Sequence, residues 1–136
     1  MAATDSSLEV QKAVVAAVRA DGNLSAIIGT RIYDRVPDAA QFPYVQYMEA
    51  TGLPAVETQD GEGFELGVTL SIWSRTDAGQ VEAHRIAGHL VDLLNNSTLA
   101  LDTKTVVMTR LLGQSTRRPD AITVQILQRW QFITDG

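Results

Sequence analysis

The sequence predicts an α+β domain: two helices packed on one face of a mostly antiparallel sheet, a two-layer sandwich. Three observations lead there. Phe64, Leu66, Val68, Leu70 and Ile72 alternate with Glu65, Gly67, Thr69, Ser71 and Trp73. That period of two marks a strand with one dry face and one partly wet face. Two other segments carry the helical period: Val10, Val14, Ala17 and Val18, then Ala83, Ile86, Ala87, Leu90, Leu93 and Leu94. The resulting order is helix, turn, strands, helix, strands.

The first helix is expected to begin at Asp5, Ser6 or Ser7, with Glu9 three residues after Ser6 as a capping-box partner. Asp21-Gly22 is expected to end it. Asn23 to Ile28, closed by Gly29, reads as one or two helical turns beneath that helix. Arg31 to Tyr33 is a short strand, and Pro43 opens another, Tyr44 to Ala50, where a missing N–H is tolerated. Thr51 to Gly63, punctuated by Gly52, Pro54, Gly61 and Gly63, reads as a long loop. Loops of that length are usually functional or disordered. Asp77 is expected to cap the second helix and Asn95-Asn96 to close it. Two strands finish the chain, Thr105 to Leu112 and Ala121 to Ile133. The second sets Ile122, Val124, Ile126, Trp130 and Phe132 on one parity, interrupted by Gln128. Between them, Gly113 to Asp120 holds the turn sequence Arg117-Arg118-Pro119-Asp120.

The 136 residues, 45% hydrophobic and 20% charged, describe one ordinary globular domain over 1–136, with its core at about 8–134. There is no Cys, which excludes disulfides, thiolate metal sites and cysteine nucleophiles. No apolar run reaches the ~18 residues of a membrane span. MAATDSSLEV does not read as a secretory signal. Eleven Lys+Arg against sixteen Asp+Glu give a net charge of −5. That balance argues against binding nucleic acid by phosphate neutralisation.

Chemistry-bearing patterns are sparse. His84 and His89, five apart on one helix, point about 140° away from each other and cannot share a metal. No GxSxG elbow or SxxK is present. Glu49, Glu57, Asp60, Glu62 and Glu65 form an acidic run, but ETQDGEGFE lacks the register of a calcium loop. Arg110, Arg117, Arg118 and Arg129 stand against Asp120 alone. Charge is therefore segregated into an acidic segment and a basic carboxy-terminal hairpin. No catalytic residue, metal ligand or cofactor is assigned.

The ordered set formed by IIGTRIYDRVP (Ile27 to Pro37), FPYV (Phe42 to Val45) and LSIWSR (Leu70 to Arg75), followed by a helix, resembles the tail-completion, or tail-terminator, family of long-tailed bacteriophages, prophages and gene transfer agents. The resemblance runs from about Leu8 to Thr134. It implies a structural virion protein, not an enzyme, at the head-tail junction, assembled in the host cytoplasm. Such proteins cap the head-proximal end of the tail tube, usually as a six-fold ring. The ring ends tube polymerisation and gives the head connector a docking surface. The implied partners are further copies of the chain in a homohexamer, the tail-tube protein and the connector or stopper protein. Genomic DNA would pass through without sequence-specific binding, and no membrane is involved. A head-tail stopper or another minor tail protein is the alternative within virion components. A small ligand-binding or enzymatic α+β domain is the alternative outside them.

Two assembly surfaces are expected on this reading. One is Glu57, Asp60 and Glu62, within a segment (Leu53 to Glu62) expected to be mobile in the free subunit and ordered in the tail. The other is the basic turn Arg117-Arg118, with those acids of an adjacent subunit as its candidate partner and the tube subunit as the alternative. The purified protein is expected to show no hydrolytic, nucleolytic or metal-dependent activity. A stoichiometric, tightly bound transition metal, found by elemental analysis, would overturn that.

Overall fold

Among the described residues, three helices and five strands follow one another as α1 (Ser7–Ala20), α2 (Gly22–Ile28), β1 (Ile32–Tyr33), β2 (Tyr44–Thr58), β3 (Gly61–Ser74), α3 (Gln80–Leu94), β4 (Thr105–Arg117) and β5 (Val124–Asp135). The computed structural model describes residues 5–135 apart from 59–60, 76–79, 96, 98, 100 and 104, with backbone alone at 49, 53–58, 61–62 and 107. The sheet order is β1-β2-β3-β5-β4. Only β1 and β2 are parallel; the other neighbours are antiparallel.

The alternation in β3 does what its period implies. Leu66 faces Phe132 across the ladder, Val68 faces Trp130, Leu70 faces Gln128 and Ile72 faces Ile126. These eight residues are buried. The helices cover this face through Val10, Val14 and Val18 of α1, Leu24 and Ile28 of α2, and Ala83, Ile86, Leu90 and Leu94 of α3. The α+β two-layer class holds, with α2 as a third, short helix.

Gln128 explains why a polar residue interrupts the apolar row of β5. It is wholly buried. Its Nε2 donates to Ala87 O at 3.1 Å and to Gln114 Oε1 at 2.8 Å. Its Oε1 accepts from Trp130 Nε1 at 3.2 Å. A buried amide left unpaired is costly, so this one ties α3 and β4 to β5. Ile122 does not join that row: it precedes β5 and is 63% exposed.

The helix ends differ from expectation. Ser6 is the N-cap of α1 but makes no capping bond; its buried hydroxyl instead accepts from Thr134 Oγ1 at 2.9 Å. Glu9 closes no capping box either. Its carboxylate takes the Thr103 N–H at 2.7 Å and the Thr103 hydroxyl at 2.8 Å. Asp21, not Gly22, makes the first corner. Its N–H closes α1 on Ala17 O, and its side chain accepts the Leu24 N–H at 3.0 Å to open α2. Asp77 and Asn96 lie outside the described residues.

The largest correction concerns Thr51 to Gly63. Residues 51–58 and 61–63 are strand, not loop, and extend β2 and β3 into one long hairpin. Each apparent breaker has a local reason to be tolerated. Pro54 lies where β2 has no neighbour but β3, since β1 pairs only with Val45 and Gln46. A missing N–H is harmless on such an edge. A side chain at Gly52 would stand 2.4 Å from Phe64 Cζ, so the absence of one admits the Phe64 ring. Similarly, β4 runs on through Gly113 to Arg117, with a register irregularity between Leu111 and Gly113. The stretch expected to be a connector is thus mostly strand.

The face assignment predicts a sharp contrast at adjacent positions. Leu70→Ala should cost roughly 2–5 kcal/mol in urea unfolding, as buried Leu truncations do. Thr69→Ala, on the helix-free face, should cost much less.

Candidate assembly surfaces

The sheet has two chemically different ends. At one, β2 and β3 outrun the rest: Gly63 is the last residue of β3 paired with β5, opposite Asp135, whereas Gly61 and Glu62 pair only with Thr58 and Glu57. The register places Glu57 opposite Glu62. Asp60 and the side chains of Glu57 and Glu62 lie outside the described residues.

The other end carries the arginines. Arg117 closes β4 opposite Gln125, which is opposite Trp73, which is opposite Tyr44. Arg117 and Arg118 are both exposed. The expected basic turn is therefore a strand terminus and the residue after it. From Glu62 to Trp73 is eleven strand steps, roughly 36 Å at the usual rise. Within one copy, backbone positions 57 and 62 stand at the opposite end of the sheet from Arg117.

A cluster the sequence did not announce braces the basic end. The Arg75 guanidinium lies 4.4 Å from the centroid of the Phe42 ring. Its Nε donates to Thr123 Oγ1 at 2.8 Å, and its Nη2 stands 4.0 Å from Asp120 Oδ2. Asp120 in turn accepts the N–H groups of Ile122 and Thr123 at 2.9 and 2.8 Å. Tyr44 joins through Phe42, 5.1 Å between centroids, and Trp73, 6.4 Å. Bonds from the Ile122 N–H and the Thr123 side chain hold the Asp120 carboxyl below its ordinary pKa. Partial burial raises that of Tyr44, against the opposing charge of Arg75. Burial alone raises the phenol of Tyr47, whose hydroxyl has no hydrogen-bond partner among the described residues.

The sheet face away from the helices is mixed. Arg110 Nε donates to Gln131 Oε1 at 2.8 Å, and Gln131 Nε2 donates to Glu65. The Arg129 guanidinium lies over Gly113, where a side chain would come within 3.7 Å of Nη2. Around it Met48, Thr69, Ser115 and Leu127 line a shallow depression. On α3, His84 is exposed and contacts Gln80 Oε1 at 3.2 Å. Among the described residues no group of three His, Cys, Asp or Glu is placed to hold a metal. No helix among them is long and apolar enough to cross a membrane.

The chain belongs to the tail completion protein gp17 family, whose model matches residues 12–135. It is also similar to a chain in the solved virion of a native gene transfer agent particle. That match has 26% identity and a TM-score of 0.84, and covers 96% of this chain and 97% of that one. No curated protein matches by sequence. The protein is thus a structural component of a phage-type tail, working in contact with other tail components in the virion.

The depressed Asp120 carboxyl makes the basic end acid-sensitive. Its contribution is present above the unfolded carboxylate pKa and is lost as pH falls through the lower folded value. Asp120→Asn should therefore be less stable than the native chain at pH 7. The gap should narrow on acidification, as followed by urea unfolding across that range.

Proposed function

We propose that this protein caps the head-proximal end of the tail tube as a ring of identical subunits. The ring ends tube polymerisation and gives the head connector a surface to dock on. The match to the tail-completion family over nearly the whole chain is the observation that carries this reading.

The division of charge supports it. Identical subunits in a ring meet through unlike surfaces, head to tail, and the rotation must close. Opposite charge on the two meeting surfaces fixes register and speeds encounter more than it adds affinity. Arg117 and Arg118 form one such surface. Glu57, Asp60 and Glu62 form a second charged group, for an adjacent subunit or for the tail tube. DNA crosses the ring without being held, in keeping with a net charge of −5.

Particles lacking the gene should contain tubes of uncontrolled length that fail to join heads, as seen by electron microscopy. Arg117→Glu combined with Arg118→Glu should leave the melting temperature nearly unaltered, since both residues are exposed and exposed pairs are worth only ~0–1 kcal/mol. The same double variant should reduce tail joining, because the small term is repeated around the ring. Unchanged joining would show that this end of the sheet is not an assembly surface.

A further inference from the structure

We infer that neighbouring copies of this chain join edge to edge, the outer edge of β4 in one copy pairing antiparallel with the free edge of β2 in the next. This inference rests on the ring reading above and names the contact that would build it.

Among the described residues both edges are open. β1 covers β2 only at Val45 and Gln46. Beyond them Met48, Ala50, Thr51 and Gly52 are exposed. A groove lined by Gln11, Asp34, Arg35, Tyr47, Met48 and Ala50 runs beside that edge. At the other side of the sheet β4 is outermost. Asn95 Oδ1 takes the Leu111 N–H at 3.2 Å. From there to the strand end Leu112, Gln114, Ser115, Thr116 and Arg117 are exposed. An uncovered edge of this length is a template for another strand.

Direction and charge select the partner. Successive antiparallel pairings from β2 through β3 and β5 to β4 leave the two edge strands running in opposite directions. A head-to-tail copy therefore continues the antiparallel alternation with no strand reversed. Among its residues β2 carries Glu49 and Glu57 and no base, while β4 carries Arg110 and Arg117 and no acid. A two-fold contact, β2 on β2 or β4 on β4, sets like charges together, whereas β4 on β2 sets opposite charges together. The register that brings Arg117 opposite Glu49 also brings Ser115 opposite Thr51. All four positions belong to the helix-free face, by their partners Gln125, Thr69, Leu127 and Gly67. Position 49 of the next copy then stands opposite Arg117, and the end of the β2–β3 hairpin takes no part in this contact.

The chain has no Cys, so cross-linking reports only on introduced thiols. Thr51→Cys with Ser115→Cys in one chain, at two exposed positions, is incorporated into particles and treated with a short thiol cross-linker. The expected result is a ladder of covalent oligomers from the double variant and none from either single variant. A ring visible at the tube end, with no ladder from position 51 combined with 113, 115 or 117, overturns edge pairing and leaves the ring. Cross-linked dimers from Ser115→Cys alone replace it with a two-fold β4 contact. Absence of any oligomer at the tube end removes the ring reading and this inference with it.

Discussion

The register between β3 and β5 is the constraint on which everything else rests. Side chains alternate strictly along a strand, so a slip of one residue would turn Leu66, Val68, Leu70 and Ile72 to the wet face together. Burial against three helices forbids that slip. Gln128 adds a second lock of a different kind. Its buried amide is satisfied only when Ala87 O, Gln114 Oε1 and Trp130 Nε1 are all in place. Apolar contact tolerates small displacements, whereas a set of directional bonds in a dry interior does not. The core thus fixes α3, β4 and β5 in one arrangement, and the two sheet edges inherit their positions from it.

What was legible in the chain was what local period can encode. The alternation of β3 and the helical stripes of α1 and α3 state their own geometry, and the two-layer class followed from their order. The extension of β2 and β3 was not legible, because Gly52, Pro54, Gly61 and Gly63 are breakers by local rules. Their tolerance depends on tertiary facts: a Phe64 ring needing space over position 52, and an empty sheet edge beside Pro54. Gln128 looked like an interruption because its partner Ala87 lies 41 residues away. Arg75 lies in a segment that carries the family resemblance, but its bond to Thr123, 48 residues away, was not readable. Of the charged groups, the segregation was readable from the sequence. That its two parts stand at opposite ends of one sheet was not.

Ser6, Glu9 and Asp21 show the same reassignment on a smaller scale. Each has the identity of a helix cap, and only Asp21 acts as one, at the start of α2. Ser6 and Glu9 direct their oxygens to Thr134 and Thr103 instead. Capping groups are worth about 1 kcal/mol in their local role. Here two of them fasten the amino-terminal helix to the last strand and to the approach to β4, distant parts of the chain.

The one-sided placement of the helices has a consequence for how such a protein can change. Stability is invested in the covered face, where nearly every position is constrained by its neighbours. Outside the buried Ser71–Gln125 pair, the exposed positions of the other face and of the sheet edges carry less of that burden. Substitutions there can retune which particle components the subunit accepts while the folding free energy stays nearly constant. Folding then depends chiefly on one side of the five strands, and the other side can diverge without the scaffold being rebuilt.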